Sequence, residues 1–437
     1  MQESASASRS MPRRVAARRR RGIILNEMRA RDLGIVIGDL PAGPLNAITD
    51  VPGVRVGHTT LIEGDGPLVV GTGPIRTGVT VILPGDGDPR AAPAFAGSHT
   101  LNGYGEMTGL EWVRESGMLM TPIGITNTHS VGIVRDALIE ASIRAGLQAG
   151  AWALPVVAET WDGYLNDVNG QHVRPEHVLA ALAAASGGPV AEGNVGGGTG
   201  MKAFGFKAGI GTASRRVSEE DGGSTVGVLV QANMGHRARL SIDGVPVGRE
   251  ISLREIPWPE VPAPNTGSII SIVATDAPLL PHQCRRLAQR SSLGLARVGG
   301  GGEHDSGDIF FAFATGNRSL HAEDRAGAPH TLQLTMLNDD HLDDLYWAAI
   351  EAVSDEEILA MQRRIARSQG VFCEPASAAG VAGVARLARD GRLGRSETVV
   401  CILTGHGLKD PDIVAGEEGT LNAVPADAAA IREAMRL

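Results

Sequence analysis

The sequence predicts a mixed α/β protein. Three observations carry that expectation. Short runs rich in Val, Ile and Gly recur as strand-like segments, the clearest being Ile269-Ile-Ser-Ile-Val-Ala274. Longer stretches that keep their apolar residues on one helical face are interspersed with them. Glycine is abundant, at 58 of 437 residues, while aromatics make up 3%, which suits tight turns and closely packed backbones.

The elements follow in order. Residues 1–22 hold seven arginines against Glu3 alone and carry no apolar stretch, so they are not a recognisable secretory signal. Residues 1–24 read as a disordered basic extension, or as the product of a start codon placed too early, with Met11 or Met28 as the true start. From Arg29 to Asp50 the chain reads as a leading segment with turns at Pro41 and Pro44. Leu68–Val70, just after Pro67, and Val79–Leu83 read as strands, and Gly103 to Gly117 as a short helix between glycines. Ile123 to Thr126 is strand-like. His129 to Ala145 is a helix, with Val131, Val134, Leu138 and Ile143 roughly on one face. Pro175 to Ala185 is an Ala-rich helix opened by its proline. Val226 to Gln231 is a buried strand, Arg285 to Gly294 a helix and Asp308 to Ala314 a strand.

Composition narrows the function classes. A hydrophobic fraction of 43% with 20% charged residues is ordinary for a globular protein, and the length suffices for two or three domains. The net charge is −9 although the first residues are basic, so the body is more acidic still, which argues against nucleic acid as the main partner. A nucleic-acid arm is the sharper alternative for the extension itself. Cys284, Cys373 and Cys401 lie far apart, with no metal spacing and no disulfide framework, so a reducing cytoplasm is the simplest setting. No apolar run is long enough to span a membrane. The histidines include no H-E-x-x-H, and no metal site is expected. Gly196-Gly-Gly-Thr-Gly200 completes neither phosphate-loop pattern, because Met201 stands where the last glycine would fall, so backbone crowding is the better account.

The stretch with the most chemical content is Asn265-Thr-Gly-Ser268. A glycine precedes a serine that opens an apolar, β-branched strand, and Pro257, Pro259, Pro262 and Pro264 stiffen the linker ahead of it. A self-cleaving precursor needs that geometry. The Ser268 hydroxyl attacks the Gly267 carbonyl, where no side chain blocks the approach. Hydrolysis of the resulting ester frees an N-terminal Ser268, whose α-amine, with an ordinary pKa near 8, is one candidate base. A plain loop running into a strand is the alternative that these four residues leave open.

The surrounding text resembles the start of the small subunit in the L-aminopeptidase/D-esterase (DmpA-type) family, which includes the β-peptidyl aminopeptidases. The resemblance runs from about Arg29 to about Trp347. It is carried by Gly267-Ser-Ile-Ile-Ser-Ile-Val-Ala-Thr-Asp-Ala-Pro-Leu-Leu-Pro-His-Gln283 and Gly53-Val-Arg-Val-Gly-His-Thr-Thr60. Asn127-Thr-His-Ser-Val-Gly132, Glu159-Thr-Trp-Asp-Gly-Tyr164, Gly193-Asn-Val-Gly-Gly-Gly-Thr-Gly200 and Val228-Leu-Val-Gln-Ala-Asn233 belong to it too. It implies an αββα sandwich of the kind shared with the ornithine acetyltransferase group. It also implies a large-subunit portion over 25–267, a small-subunit portion over 268–350 and a homo-oligomer, a tetramer.

Candidate site residues follow from both sources. Ser268 is the nucleophile for self-cleavage and for acyl transfer. Ser306 and Asp308 project to one face of a strand at period two, so a hydroxyl and a carboxylate stand side by side to relay or hold the proton taken from Ser268. The resemblance matches them to the family's Ser-Gly-Asp/Glu pair. Asn233, after an apolar strand, has a carboxamide able to donate to an oxyanion, the role the family gives it. Glu159 suits a substrate ammonium, and Tyr164 can donate to the carbonyl or help proton transfer. His129 is read as structural.

Residues 351–437 form a second segment. Glu374-Pro-Ala-Ser-Ala-Ala-Gly-Val-Ala-Gly383 and Thr398-Val-Val-Cys-Ile-Leu-Thr-Gly-His-Gly-Leu-Lys-Asp-Pro-Asp412 resemble the end of threonine synthase, a pyridoxal-phosphate enzyme. The resemblance places Thr404 near that cofactor's ring nitrogen. The chain shows neither that family's Schiff-base lysine segment nor its phosphate loop. A helix from Pro375 to Arg389 and a strand from Val399 to Thr404 cannot cradle a cofactor alone, so the segment reads as a short α/β appendage, a fusion or remnant.

The preferred reading is a self-activating serine hydrolase, cytoplasmic, needing no metal and no cofactor, that removes N-terminal residues from small peptides, amides and esters. One alternative is an N-acetyltransferase of the same fold class; those process before Thr, and this chain has Ser268. The other is an inert or binding protein whose foreign C-terminus blocks maturation.

Overall fold

The computed structural model describes residue 29 and residues 36–355, apart from 148, 252, 255–266, 301, 318–319 and 321–329. The basic extension, the proline-rich linker with Asn265 and Thr266, and all of the threonine-synthase-like segment beyond residue 355, with Cys373, Cys401 and Thr404, therefore lie outside the described residues.

The strands are β1 (Arg55–Glu63), β2 (Ile75–Leu83), β3 (Ala94–Gly103), β4 (Met118–Leu119), β5 (Ile123–Asn127) and β6 (Val156–Thr160). They continue as β7 (Lys202–Ala203), β8 (Phe206–Lys207), β9 (Ile210–Arg216), β10 (Thr225–Asn233), β11 (Gly267–Thr275) and β12 (Ser306–Ala314). The helices are α1 (Leu110–Ser116), α2 (Val131–Arg144), α3 (Pro175–Ala184), α4 (Val247–Glu250) and α5 (Pro281–Arg297). Residues 343–355 are also helical. Among the described residues no helix is long and apolar enough to cross a membrane.

Two sheets make the inner layers. One runs in the order β1-β2-β5-β6 and the other β4-β3-β12-β11-β10-β9. Val56, Ile82, Ile125 and Ala158 of the first face Leu229, Ile270, Ile272, Ile309 and Phe311 of the second. On the outer face of the first sheet, Val79, Val81 and Val157 pack against Val134 and Leu138 of α2 and Val178 of α3. On the outer face of the second, Ile269, Val273 and Phe310 pack against Cys284, Leu287 and Leu295 of α5, together with the 343–355 helix. The architecture is thus αββα. β11 runs antiparallel to β10 and parallel to β12 in the interior of its sheet. Both of its faces are covered, so it reads as a continuous apolar run instead of an alternation.

Several elements differ from the sequence expectation. Leu68–Val70 is not a strand: these residues are exposed, and Val69 only closes a turn, its N–H donating to the Gly73 carbonyl at 2.8 Å. The helix expected between Gly103 and Gly117 is confined to Leu110–Ser116, because Gly109 and Gly117 take φ of 74° and 71° and close it at both ends. The helix expected from His129 opens with a 3-10 turn over Thr128–Ser130, where the His129 N–H binds the Asn127 side chain at 3.1 Å. α5 begins four residues earlier than expected, at Pro281, whose fixed φ suits a first helical position.

The 343–355 helix crosses residue 350 without a break and is tied into the body. Arg215 of β9, 1% exposed, lies 3.1 Å from Asp355 and 3.5 Å from Glu351, and donates to the Ile37 carbonyl at 2.7 Å. Glu351 accepts in turn from the Asp39 and Leu40 N–H groups at 3.0 Å each. One guanidinium thus joins the leading segment, a sheet edge and the last described helix. Replacing it leaves two buried carboxylates uncompensated, so Arg215→Met should cost about 3–5 kcal/mol of stability. A thermal or denaturant unfolding midpoint that stays at the wild-type value would contradict this.

Candidate active site

The site forms where the ends of β10, β11 and β12 meet the end of β6. Ladder register sets it. Ser268 pairs with Asn233 on one side and with Gly307 on the other. Ser268 shares parity with Ile270 and Ile272, so its hydroxyl faces the space between the sheets. There the oxygen, on a residue 3% exposed, accepts the Trp161 N–H from the end of β6 at 3.3 Å.

Asn233 has the same parity as Leu229 and projects to the same side, directly across the ladder from Ser268. Its Oδ1 accepts the Lys202 N–H at 3.2 Å, which fixes the amide, since a backbone N–H must meet the oxygen. The Nδ2 is then turned away, buried and without a partner. An unsatisfied donor at this depth costs about 1–3 kcal/mol. A carbonyl oxygen gaining negative charge beside Ser268 would satisfy it.

Glu159, near the end of β6, is 3% exposed. Its Oε1 accepts the Glu106 N–H at 2.9 Å and its Oε2 accepts the Thr128 hydroxyl. Burial holds its carboxyl above the usual range, and those two bonds oppose the rise. A Cβ added at Gly105 would lie 3.2 Å from Glu159 Oε1 and 2.9 Å from Gly307 Cα, so bare backbone separates the carboxylate from the nucleophile's ladder partner. Tyr164 follows in the same segment, its ring centroid 6.0 Å from Lys202 Nζ.

Ser306 and Asp308 stand side by side, the serine hydroxyl donating to Asp308 Oδ1 at 2.6 Å. They share the parity of Phe310, so they occupy the outer face of the sheet, opposite the Ser268 hydroxyl. The sequence reading had them relay or hold the proton taken from Ser268; the register places them beside the Gly267–Ser268 peptide, on the other face from the hydroxyl. Gly267 pairs with Ser306, and a Cβ added to it would lie 3.3 Å from the Ser306 hydroxyl. The pair can therefore reach the amine that cleavage would free. Burial pushes Asp308 up, against hydrogen bonds from Ser306, Asn102 and the Ile269 backbone.

Four participants were not picked out from the sequence. Trp161 acts through its backbone, which no side-chain pattern reveals. Asp162, fully buried and pushed up by burial to about 7, accepts from Asn166 Nδ2 at 3.0 Å and holds the turn that carries Tyr164. Lys202 orients Asn233, and burial pushes its ammonium down to about 8. Asn102 donates to Asp308 Oδ2 at 3.0 Å; its one sequence signal was an Asn-Gly pair before a turn. Gly196–Gly198 form a tight turn in which a Cβ at Gly197 would fall 2.4 Å from Gln231 Oε1, so crowding accounts for that glycine. Among the described residues no group of three His, Cys, Asp or Glu side chains is placed to hold a metal.

Two facing sheets between helices, with a serine opening a central strand, define an N-terminal-nucleophile type of hydrolase. Residues 46–363 match Peptidase family S58, and the chain belongs to that family of aminopeptidases. It is 48% identical over 339 residues to a beta-peptidyl aminopeptidase of Sphingosinicella microcystinivorans, covering 75% of this chain and 83% of that protein. Its fold is similar to the L-aminopeptidase D-Ala-esterase/amidase of Ochrobactrum anthropi, described as a variant of the Ntn hydrolase fold. The TM-score is 0.69 with 40% identity, over 84% of this chain and 99% of that one. A further 86 residues, 20% of the chain, are 48% identical to 24% of the threonine synthase of Mycobacterium leprae.

Asn233→Ala should lower kcat about 10²–10³-fold in the cleaved enzyme and leave KM within a few-fold, because an oxyanion donor acts most strongly once charge has developed. Wild-type kcat with lost affinity would remove Asn233 from that role. Glu159→Gln should show the opposite balance, with weaker binding of free-amine substrates and a smaller penalty where the amine is blocked. Equal penalties for both substrate types would count against an ammonium contact.

Proposed function

We propose that the chain cuts itself between Gly267 and Ser268 and then works as a serine aminopeptidase on small peptides, amides and esters. The observation that carries this is the buried, partnerless Nδ2 of Asn233 directly across the ladder from Ser268. In maturation the Ser268 hydroxyl attacks the Gly267 carbonyl, the peptide nitrogen leaves as an amine, and water hydrolyses the ester. In turnover the same hydroxyl attacks the substrate carbonyl. The freed α-amine takes the proton and returns it to the leaving amine, and water releases the acyl group. Asn233 holds the oxyanion in both reactions. Ser306 and Asp308 hold the amine from the outer face of the sheet. Glu159 takes the substrate ammonium and Tyr164 assists at the carbonyl.

The names of the relatives support substrates with either β-amino or α-amino N-terminal residues. The enzyme is expected to be a cytoplasmic homo-oligomer. The acidic body argues against nucleic acid as a partner.

Denaturing electrophoresis of the purified protein should give two fragments that co-purify under native conditions. N-terminal sequencing of the smaller should read Ser-Ile-Ile, and any other start sinks the proposal. Ser268→Ala should give one uncleaved chain. A panel of aminoacyl p-nitroanilides on the cleaved enzyme then sets the side-chain preference.

A further inference from the structure

We propose that Asn102 is a positioning residue of this site: its amide fixes which oxygen of Asp308 faces Ser306, and with it the direction of the hydrogen-bond chain that reaches the amine freed at Ser268. The inference rests on the reading of Ser268, Ser306 and Asp308 given above.

The geometry begins with a bulge. Along β12 and β3, Ile309 pairs with Thr100, but Asp308 pairs with Asn102, so Leu101 is an extra residue in β3. In an unbroken ladder Leu101 would pair with Asp308, and Asn102 would fall opposite Gly307 and project to the inter-sheet face. The bulge shifts it by one, onto the face of Asp308. Bulges re-aim side chains in this way and recur beside active sites.

The amide is used up where it lies. Its two N–H groups are spent on Asp308 Oδ2 at 3.0 Å and on the Glu303 carbonyl at 3.1 Å. The same Glu303 carbonyl accepts the Ser306 N–H at 2.9 Å, so the amide is anchored to the turn that leads into β12. An amide nitrogen only donates. Oδ2 must therefore accept, and Oδ1 is left to receive the Ser306 hydroxyl at 2.6 Å. With its proton committed to Asp308, the Ser306 oxygen offers the freed amine an acceptor. The amine then donates an N–H to Ser306 and keeps its lone pair for the Ser268 hydroxyl. Protonation of Asp308 at Oδ1 reverses the chain: the carboxyl donates to Ser306, Ser306 donates to the amine, and the lone pair is lost.

The charged and titratable groups around Asp308 come from four sides. Glu303 approaches from the turn before β12 and is met by His236 at 3.9 Å and Arg239 at 3.3 Å. His99 lies on the same face of β3, paired with Phe310. Arg285 of α5 packs at Gly97, further along that strand. The freed amine itself is the remaining group. Beside these groups, Ser306 and Asn102 supply the side-chain hydrogen bonds that keep the Asp308 proton off.

The test is the pH dependence of kcat/KM on the cleaved enzyme with an aminoacyl p-nitroanilide. The acid limb reports the amine and the carboxylate together. Removing a donor to Asp308 makes the carboxylate bind its proton more tightly. The less compensated carboxylate charge also makes the amine hold its proton more tightly. Both effects move the limb the same way. Asn102→Ala should shift it to higher pH by about one unit, and the isosteric Asn102→Asp by more, because it adds a like charge. An even loss of activity at every pH, with the limb unmoved, overturns the inference. So does failure of both variants to cleave and fold while Asp308→Asn does both, since the amide would then serve the fold alone. Wild-type activity in Asp308→Asn would instead remove the underlying reading of the Ser306–Asp308 pair.

Discussion

The constraint on which the rest depends is the register of three strands at one rung, where Asn233, Ser268 and Gly307 lie side by side. Side chains alternate along a strand, so a slip of one residue would send the Ser268 hydroxyl to the outer face and the Asn233 amide away from it. The register is held by burial on both sides. Ile270, Ile272, Ile309 and Phe311 fill the space between the sheets, while Ile269, Val273 and Phe310 pack under α5. A slip would have to exchange these two sets, which differ in shape and in partners. The apolar core of the sandwich is therefore also what aims the polar groups at its rim.

That rim divides the work between two faces of one sheet. On the inner face lie the hydroxyl and the Asn233 donor, and the Glu159 carboxylate of the opposite sheet approaches across the Gly105 backbone. On the outer face lie Ser306, Asp308 and Asn102. The peptide between Gly267 and Ser268 lies between them, Gly267 paired with Ser306 and Ser268 with Gly307. A group that attacks and a group that accepts its proton can thus be kept in separate networks until cleavage turns that peptide into an amine. Gly307 and Gly105 keep the inner side thin, and a Cβ at Gly307 would fall 2.6 Å from Gly105 Cα. Burial raises the proton affinity of Glu159, Asp162 and Asp308. Glu159 and Asp308 are met by neutral donors, which suits the carboxylates proposed to meet a cation or a proton during turnover.

Much of this was legible in the sequence, for identifiable reasons. β10, β11 and β12 carry long apolar runs because they are covered on both faces, and each ends in a polar residue where the cover stops: Asn233, Ser268, and Ser306 with Asp308. The motif Glu159 to Tyr164 marks the matching end of the opposite sheet. What was not legible is of three kinds. β1 interrupts its Val, Thr and Ile with Gly57 and His58 and shows no clean alternation, and β3 is rich in Gly, Ala, Ser, His and Asn, so neither stood out. Roles that act through backbone or through a bulge leave no side-chain pattern, and Trp161 and Asn102 belong there. Face assignment was the third loss, since parity within one strand says that Ser306 and Asp308 agree with each other but nothing of their relation to Ser268.

The end of the family match raises the question of what the last segment has to satisfy. The match runs to residue 363, and the helix at 343–355 carries two carboxylates that hold Arg215 at the far edge of the catalytic sheet. A foreign end joined at or beyond Asp355 keeps both carboxylates, and with them the clamp on Ile37, Asp39 and Leu40. A junction before Glu351 would have had to supply both charges anew, or leave a buried guanidinium uncompensated at a cost of about 3–5 kcal/mol. What the family fold asks of this end of the chain is thus one ion cluster, distant from the chemistry of the site. Arg215 lies on β9, and β10 separates that strand from the nucleophile's, so a C-terminal segment of different ancestry can follow Asp355 while the rung at Ser268 stays as it is.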